Sequence, residues 1–211
     1  MKAIAVIPCR AGSVGVPGKN KRPMLGKPLW VWSAEQAIEA GCFESIVVAT
    51  DDPEVRDYAD PRCLLFMRHP LTAGPRAATE AVLLEVILEF EPRLVCVLQA
   101  TSPLRTAWHI KDAMEKLGWA DSVVSVVEDH HVIPGEPRQM RQDMTRVVEN
   151  GSIYAFRTEA FLGSMNRLCG KWAQVKMPPW TRYEIDTEDD WKIVELMMRT
   201  HLLGAPGVHT R

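Results

Sequence analysis

Short runs of apolar, often β-branched residues alternate along the chain with segments of helical periodicity. These runs are hydrophobic at nearly every position rather than at every second one, which is typical of strands covered on both faces. Strands are predicted over residues 3–8, 45–50, 63–66, 93–99 and 121–127. The alternation therefore predicts an α/β fold, a three-layer domain in which helices cover both faces of a mostly parallel sheet.

Helices are predicted between these strands, and the pattern changes after the fifth strand. The predicted helices cover residues 28–40, 53–59, 76–90 and 106–117, with a last one from about 187. Residues 128–149 form a polar, proline-containing excursion, and the chain returns through predicted strands at 152–156 and 173–178. We expect the excursion to be either a surface loop or a small lobe that reaches a partner subunit or a substrate.

Length and charge limit the classes of function. A chain of 211 residues without a low-complexity linker is predicted to form one domain over 1–211. Its 25 Lys and Arg against 27 Asp and Glu give no basic field, which argues against a nucleic-acid partner. The five cysteines show no CxxC spacing, and no apolar window approaches the ~18 residues of a membrane span. We expect reduced thiols, no membrane association and a cytoplasmic location.

The loop IPCRAGSVGVPGKNKR, residues 7–22, follows the first predicted strand and is rich in glycine and cations. A P-loop would need glycine five places before Gly18, where Ser13 stands, and serine or threonine after Lys19, where Asn20 stands. Its three glycines are spaced three apart, so the GxGxxG dinucleotide fingerprint is also absent. Neither an ATPase nor a dehydrogenase is supported.

The same loop can still hold an anion. A glycine-rich turn after a strand presents backbone N–H groups to oxygen atoms, and basic side chains add positive charge. A solvated basic turn remains the alternative. The basic residues in and just after the loop are Arg10, Lys19, Lys21, Arg22 and Lys27.

Two later segments favour a binding site for a phosphorylated ligand. The segment LQATSPLR places polar side chains at the end of the fourth strand, namely Gln99, Thr101, Ser102 and Arg105. In EIDTEDDW, Glu184 and Asp186 lie two apart in an extended segment, so both point to one face and could hold Mg²⁺. An acidic helix start, with Thr187 and Asp190 forming a capping box, explains that run equally well.

Together these motifs resemble the nonulosonate cytidylyltransferases, the family of the CMP-sialic acid synthetases and their legionaminate and pseudaminate relatives. The family patterns IPARGGSKGIPGKN, GKPL, LQPTSPLR, NGAIY and DIDTEED are similar to segments of this chain in the same order. The matching segments are residues 7–20, 26–29, 98–105, 150–154 and 184–190. The resemblance covers residues 1 to about 195.

The resemblance implies a nucleotide-diphospho-sugar-transferase-like fold and a Mg²⁺-dependent reaction. The anomeric hydroxyl of a nonulosonic acid would attack the α-phosphate of CTP, giving a CMP-sugar and pyrophosphate. Arg10, Lys19 and Asp186 would be catalytic, and Glu184 with Asp186 would bind the metal. The implied nucleotide-binding residues are Arg10, Ser13, Lys19, Asn20, Arg68, Gln99 and Ser102. The implied sugar-binding residues are Gln99, Arg141, Tyr154 and Tyr183.

The family also implies a homodimer in which the excursion over 128–149 contacts the partner and covers the sugar. The chain departs from the family pattern at Val14, where relatives carry lysine, and at Val148, where they carry an arginine for the sugar carboxylate. Nearby candidates for that arginine are Arg138, Arg141 and Arg146. A CMP-Kdo synthetase, or a nucleotide-binding paralogue with weak or no catalysis, are the alternatives.

Overall fold

The computed structural model describes residues 2–13, 15–58, 62–74, 77–130 and 146–203. Nine strands lie in the described part of the chain, seven of them in one sheet. They are β1 (Ala3–Cys9), β2 (Pro23–Met24), β3 (Lys27–Pro28), β4 (Ser45–Thr50), β5 (Cys63–Met67), β6 (Leu94–Leu98), β7 (Ser122–Asp129), β8 (Arg146–Arg157) and β9 (Trp172–Met177). The helices are α1 (Leu29–Ala40), α2 (Pro70–Ala73), α3 (Thr79–Phe90), α4 (Ala107–Lys116), α5 (Thr158–Ser164) and α6 (Glu188–Met197). Shorter helical turns cover Pro53–Tyr58, Pro179–Arg182 and Met198–Leu202.

The main sheet has the order β5-β4-β1-β6-β8-β7-β9. Every neighbouring pair is parallel except the two that involve β8, which runs antiparallel to both β6 and β7. The predicted α/β class with a mostly parallel sheet is confirmed. The predicted order of strands and helices also holds, although β2, β3, α2, α5 and the turn at Pro179–Arg182 were not predicted.

The predicted excursion over 128–149 is wrong at both ends. The ladder between β7 and β8 continues to the pair Asp129 and Arg146, so these ends belong to the sheet. No apolar run marks these strand ends in the sequence, because this part of the ladder carries exposed or half-buried side chains such as Glu128 and Glu149. Residues 131–145, with Arg138 and Arg141, lie outside the described residues, as does Val14.

Two apolar clusters cover the two faces of the sheet. One includes Trp30 of α1 and Ile110 of α4, and the other includes Val82 of α3 and Phe156 of β8. Burial of the continuous apolar strands between them supplies the main stabilisation of the fold.

A third cluster joins the glycine-rich loop to the C-terminal part of the chain. Val16 of the loop and Ile185, between Glu184 and Asp186, are both completely buried in it, together with Trp191 of α6. Apolar packing therefore fixes the basic loop and the acidic segment relative to each other.

Candidate active site

A cavity of about 290 Å³ opens where β1 and β6 end. The carboxyl ends of parallel strands are the usual ligand-binding edge of such a sheet. The wall includes eight of the residues predicted for the site, which are Arg10, Ser13, Lys19, Asn20, Arg68, Gln99, Glu184 and Asp186. Thr79 and Val82 of α3, together with Thr101, complete much of the remaining wall.

Three other predicted residues in the described part of the chain do not line this cavity. Ser102 is buried beneath the turn after β6, and its backbone carbonyl accepts from a guanidinium nitrogen of Arg105 at 2.7 Å. Tyr154 is buried in β8 on the face that α3 covers. Tyr183 packs on the cluster that holds Val16. Their binding roles stay predictions, as does that of Arg141.

The glycine-rich loop is held in shape by its own hydrogen bonds and by the next strand. Asn20 Nδ2 donates to the carbonyl of Arg10 at 2.9 Å, which closes the loop. The N–H of Ala11 donates to Asp51 Oδ1 at 2.8 Å, directly after β4. Gly18 has φ +61°, a left-handed conformation that glycine adopts without strain. The loop is thus preorganised, with Arg10 and Lys19 on the cavity wall.

Lys19 links the loop to the acidic segment. Its side chain is largely buried, its ammonium donates to the carbonyl of Ile185, and Nζ lies 3.3 Å from Asp186 Oδ1. The carboxylate of Asp186 remains open to solvent at 76% exposure. Asp186 is therefore paired with a cation but can still reach a ligand in the cavity.

Glu184 is held from the other side of the cavity. Thr101 Oγ1 donates to Glu184 Oε1 at 2.8 Å. Burial raises the pKa of Glu184, the hydrogen bond from Thr101 opposes that rise, and the nearby charge of Asp186 adds to it. Both carboxylates keep exposed surface, but Glu184 is held by a hydroxyl donor and Asp186 by the ammonium of Lys19.

Two glycines allow the acidic segment to come this close. A Cβ atom on Gly15 would lie 3.2 Å from the carbonyl carbon of Asp186 and closer still to the carbonyl oxygen. A Cβ atom on Gly151, which has φ +67°, would lie 2.7 Å from Glu184 Oε2. The backbone contact explains the second glycine of the loop, and the left-handed φ of Gly151 together with its approach to Glu184 explains the Asn-Gly motif.

The acidic run contains both features that its sequence allowed. Thr187 and Asp190 form the capping box at the start of α6, with the Thr187 side chain accepting from the Asp190 N–H. Glu184 and Asp186 precede the cap and line the cavity instead. The helix start therefore accounts for Asp190, but it does not account for the carboxylate pair.

Arg105 supports the site from beneath, a role that its sequence position did not show. Its guanidinium is completely buried, and burial lowers its pKa to about 9. Nη1 donates to the carbonyls of Gln99 at 3.0 Å, Ser102 at 2.7 Å and Ser152 at 3.3 Å. Arg105 thereby fixes the turn that carries Gln99 and Thr101.

The donor set on the acidic side suits a hard divalent cation that also binds its substrate. No group of three or more His, Cys, Asp or Glu side chains able to hold a metal occurs among the described residues. Mg²⁺ is commonly held by one or two carboxylates together with waters and substrate phosphates, rather than by a complete protein cage. Glu184 and Asp186 fit that arrangement.

Comparison with known proteins identifies the family. A sequence model described as Cytidylyltransferase matches residues 4–164. This chain belongs to the cytidylyltransferase family. The family resemblance carried by the motifs is confirmed, and so is a nucleotidyltransferase enzyme class.

Among curated relatives, the N-acylneuraminate cytidylyltransferase of Streptococcus agalactiae serotype III is 31% identical over 90% of this chain and 52% of its own length. This chain thus spans about half the length of the first curated relatives it matches. The CMP-N,N'-diacetyllegionaminic acid synthase of Legionella pneumophila is 26% identical, over 94% of this chain and 97% of its own.

A solved CMP:2-keto-3-deoxy-manno-octonic acid synthetase complexed with CTP has a similar fold. The TM-score is 0.75 at 18% identity, over 94% of this chain and 98% of that chain.

Within the described residues, no helix combines the length and apolarity needed to cross a membrane.

Proposed function

We propose that this cytidylyltransferase transfers CMP from CTP to the anomeric hydroxyl of a nonulosonic acid and releases pyrophosphate. The observation that carries the proposal is the cavity itself. Arg10, Lys19 and Arg68 bring positive charge to it from two separate segments, and Glu184 and Asp186 bring a pair of carboxylates. Cations for a triphosphate and carboxylates for a divalent metal are the two requirements of nucleotidyl transfer.

The basic residues bind and orient the nucleotide. Arg10 and Lys19 hold the triphosphate and stabilise the negative charge that develops as pyrophosphate leaves. Ser13, Asn20, Arg68 and Gln99 line the same cavity and shape the nucleotide pocket. The loop hydrogen bonds keep these groups in place before CTP arrives, so little reorganisation is needed.

The carboxylates act on the acceptor side. Asp186 accepts the proton from the attacking hydroxyl, a role that its exposed carboxylate supports. Mg²⁺, when held by Glu184 and Asp186, supplies Lewis-acid polarisation of phosphoryl oxygens. Thr101 keeps the Glu184 carboxylate oriented toward the cavity.

The names of the relatives support the acceptor class. They include enzymes for N-acylneuraminate, for N,N'-diacetyllegionaminic acid and, over 55% of this chain, a pseudaminic acid cytidylyltransferase of Campylobacter jejuni. We extend the proposal to a homodimer in which the segment between β7 and β8 contacts the partner. The similar fold of the CMP:2-keto-3-deoxy-manno-octonic acid synthetase keeps an eight-carbon keto-acid as the second candidate acceptor.

The test measures pyrophosphate release with CTP, Mg²⁺ and a panel of sialic, legionaminic, pseudaminic and 3-deoxy-octulosonic acids. We expect turnover with one or more nine-carbon acids, loss of turnover with EDTA, and weak activity when UTP or ATP replaces CTP. Turnover with only the eight-carbon acid would show that the acceptor is an eight-carbon keto-acid and not a nonulosonic acid. If no acid in the panel gives pyrophosphate release while CTP still binds, the protein is instead a nucleotide-binding protein without this activity.

A further inference from the structure

A cluster of charged and aromatic side chains joins the start of α3, the strand β8 and the segment between α5 and β9. Arg167, between α5 and β9, places its guanidinium carbon 4.3 Å from the ring centre of Tyr154. Arg167 Nε lies 3.4 Å from Glu80 Oε1 of α3. The Tyr154 hydroxyl donates to Glu149 Oε2 at 2.9 Å. None of the motifs pointed to Arg167.

The cluster borders the active-site cavity. Glu80 is the neighbour of Thr79, which lines the cavity at the start of α3. Glu184 lines the cavity as well, and its carboxylate lies against Gly151 of β8, the strand that carries Tyr154. Arg167, held over Tyr154 and paired with Glu80, therefore brings positive charge to the α3 side of the site.

A second cavity, of about 320 Å³, lies on the other side of the cluster. Glu149 and Leu168, the neighbour of Arg167, line it together with Val124, Val126, Val147, Trp172 and Gln174. Arg167 thus neighbours lining residues of both cavities, Thr79 of the first through its partner Glu80 and Leu168 of the second.

The guanidinium has an unused donor. Arg167 Nη1 is buried, and no hydrogen bond from the described residues satisfies it. A guanidinium carries five N–H donors, and a buried donor without a partner is costly unless a ligand or water completes it. A carboxylate is the natural partner, because its two oxygens match the guanidinium fork.

The position at which relatives carry an arginine for the sugar carboxylate cannot serve here. Val148 of β8 packs against the cluster on the α1 and α4 side of the sheet. Tyr154 and Val147 face the opposite side, where Arg167 lies. On the α3 side, the described residues offer Arg167, from the segment between α5 and β9.

We propose that Arg167 binds the carboxylate of the acceptor acid. The inference rests on the proposed function and adds the residue that recognises the acid group. Tyr154 supports the guanidinium from below by stacking, and Glu80 orients it through Nε. Arg167 is thus a specificity-determining residue for acids over neutral sugars.

The test compares Arg167→Gln and Arg167→Lys with the wild type in the pyrophosphate assay. For Arg167→Gln we expect the acceptor KM to rise roughly 10- to 100-fold, because a charge-assisted bidentate contact is lost. The KM for CTP should change less than about twofold, since CTP lies on the loop side. Arg167→Lys keeps the charge but not the fork, so it should be intermediate.

A carboxamide analogue of the preferred acceptor separates recognition from support of the fold. The wild type should discriminate strongly against the amide, and Arg167→Gln should lose most of that discrimination. Arg199→Gln is the matched control, because Arg199 also pairs with a glutamate, Glu195 at 2.7 Å, on the surface of the C-terminal turn. The control should leave both KM values unchanged.

Several results would overturn the inference. An unchanged acceptor KM in Arg167→Gln would do so, as would equal losses for the acid and its amide. If Arg167→Gln does not fold, the comparison uses Arg167→Lys, and the deciding quantity is the ratio of activity with the acid to activity with its amide. If the wild type turns over an acid and the Arg167 variants have the same acceptor KM, only the role of Arg167 is refuted. A wild type that turns over no acid would refute the proposed function and this inference with it.

Discussion

Gly15→Ala is a small substitution with a large expected effect on catalysis. A new Cβ atom would lie 3.2 Å from the carbonyl carbon of Asp186 and even nearer its oxygen, whereas ordinary contact begins at 3.4 Å. Both partners are backbone atoms, so no side chain can rotate away. The loop and the acidic segment must therefore separate, and Lys19 and Asp186 must shift relative to each other.

The magnitude follows from that displacement. Relieving the overlap requires a separation of roughly 1 Å, and a misplacement of this size can cost about 10²-fold in rate. We expect kcat/KM for pyrophosphate release to fall by about that factor. Overpacking costs typically about 1–3 kcal/mol, so the free energy of unfolding should fall but the fold should persist.

The same loop offers a matched control. Gly12→Ala adds a Cβ atom with no heavy atom within 4 Å. Neither glycine has a positive φ, so the two substitutions differ only in this contact. We expect Gly12→Ala to retain near-wild-type kcat/KM and stability by urea titration. Equal losses in both variants, or full activity in Gly15→Ala, would refute the argument that close approach to Asp186 sets the geometry.

Three further predictions concern charge. Asp186→Asn should lower kcat by about 10²- to 10⁴-fold while the Kd for CTP, measured by calorimetry, changes little; an unchanged rate would remove Asp186 from the chemistry. Lys19→Ala should raise the KM for CTP about tenfold or more, and an effect on unfolding alone would make the loop purely structural. Burial lowers the pKa of His109 to about 4, so folding favours its neutral form. The stability gained from keeping His109 neutral is complete above pH 6.5. As pH falls from 6.5 through 4, the free energy of unfolding should therefore fall by at most about 3 kcal/mol. Because His109 Nδ1 accepts from the Thr106 N–H at 3.0 Å, His109→Gln keeps the capping box and should flatten this pH dependence in urea titrations. If the free energy of unfolding falls equally with pH in the wild type and in His109→Gln, other groups cause the loss of stability in acid.

Much of the fold could be read from local pattern. The segment Ser45–Thr50 forms a strand over the predicted residues, and α1 begins one residue after its predicted start. Continuous apolar runs signal strands buried on both faces whatever their neighbours are. The order of these runs also placed the loop after β1, the turn after β6 and Arg68 after β5 at one edge of the sheet, and the cavity lies there.

The direction and length of β8 could not be read in this way. Half of its residues are exposed or half-buried, and its antiparallel pairing with β6 and β7 depends on contacts far away in sequence. A polar strand at the end of a ladder has no local signature that separates it from a loop. The predicted excursion was therefore too long at both ends.

The sequence by itself determined the α/β class, the family and the residue types of the cavity, because apolar periodicity and short motifs are local properties. Only the tertiary structure decided how those residues meet. Gly15 and Asp186 are far apart in the chain, as are Gly151 and Glu184, yet the fold brings each pair into close contact. Arg167 belongs to no motif, and its position over Tyr154 comes from the packing of the α5–β9 segment on β8. Contacts between distant segments depend on the whole packed fold, so no single stretch of sequence encodes them.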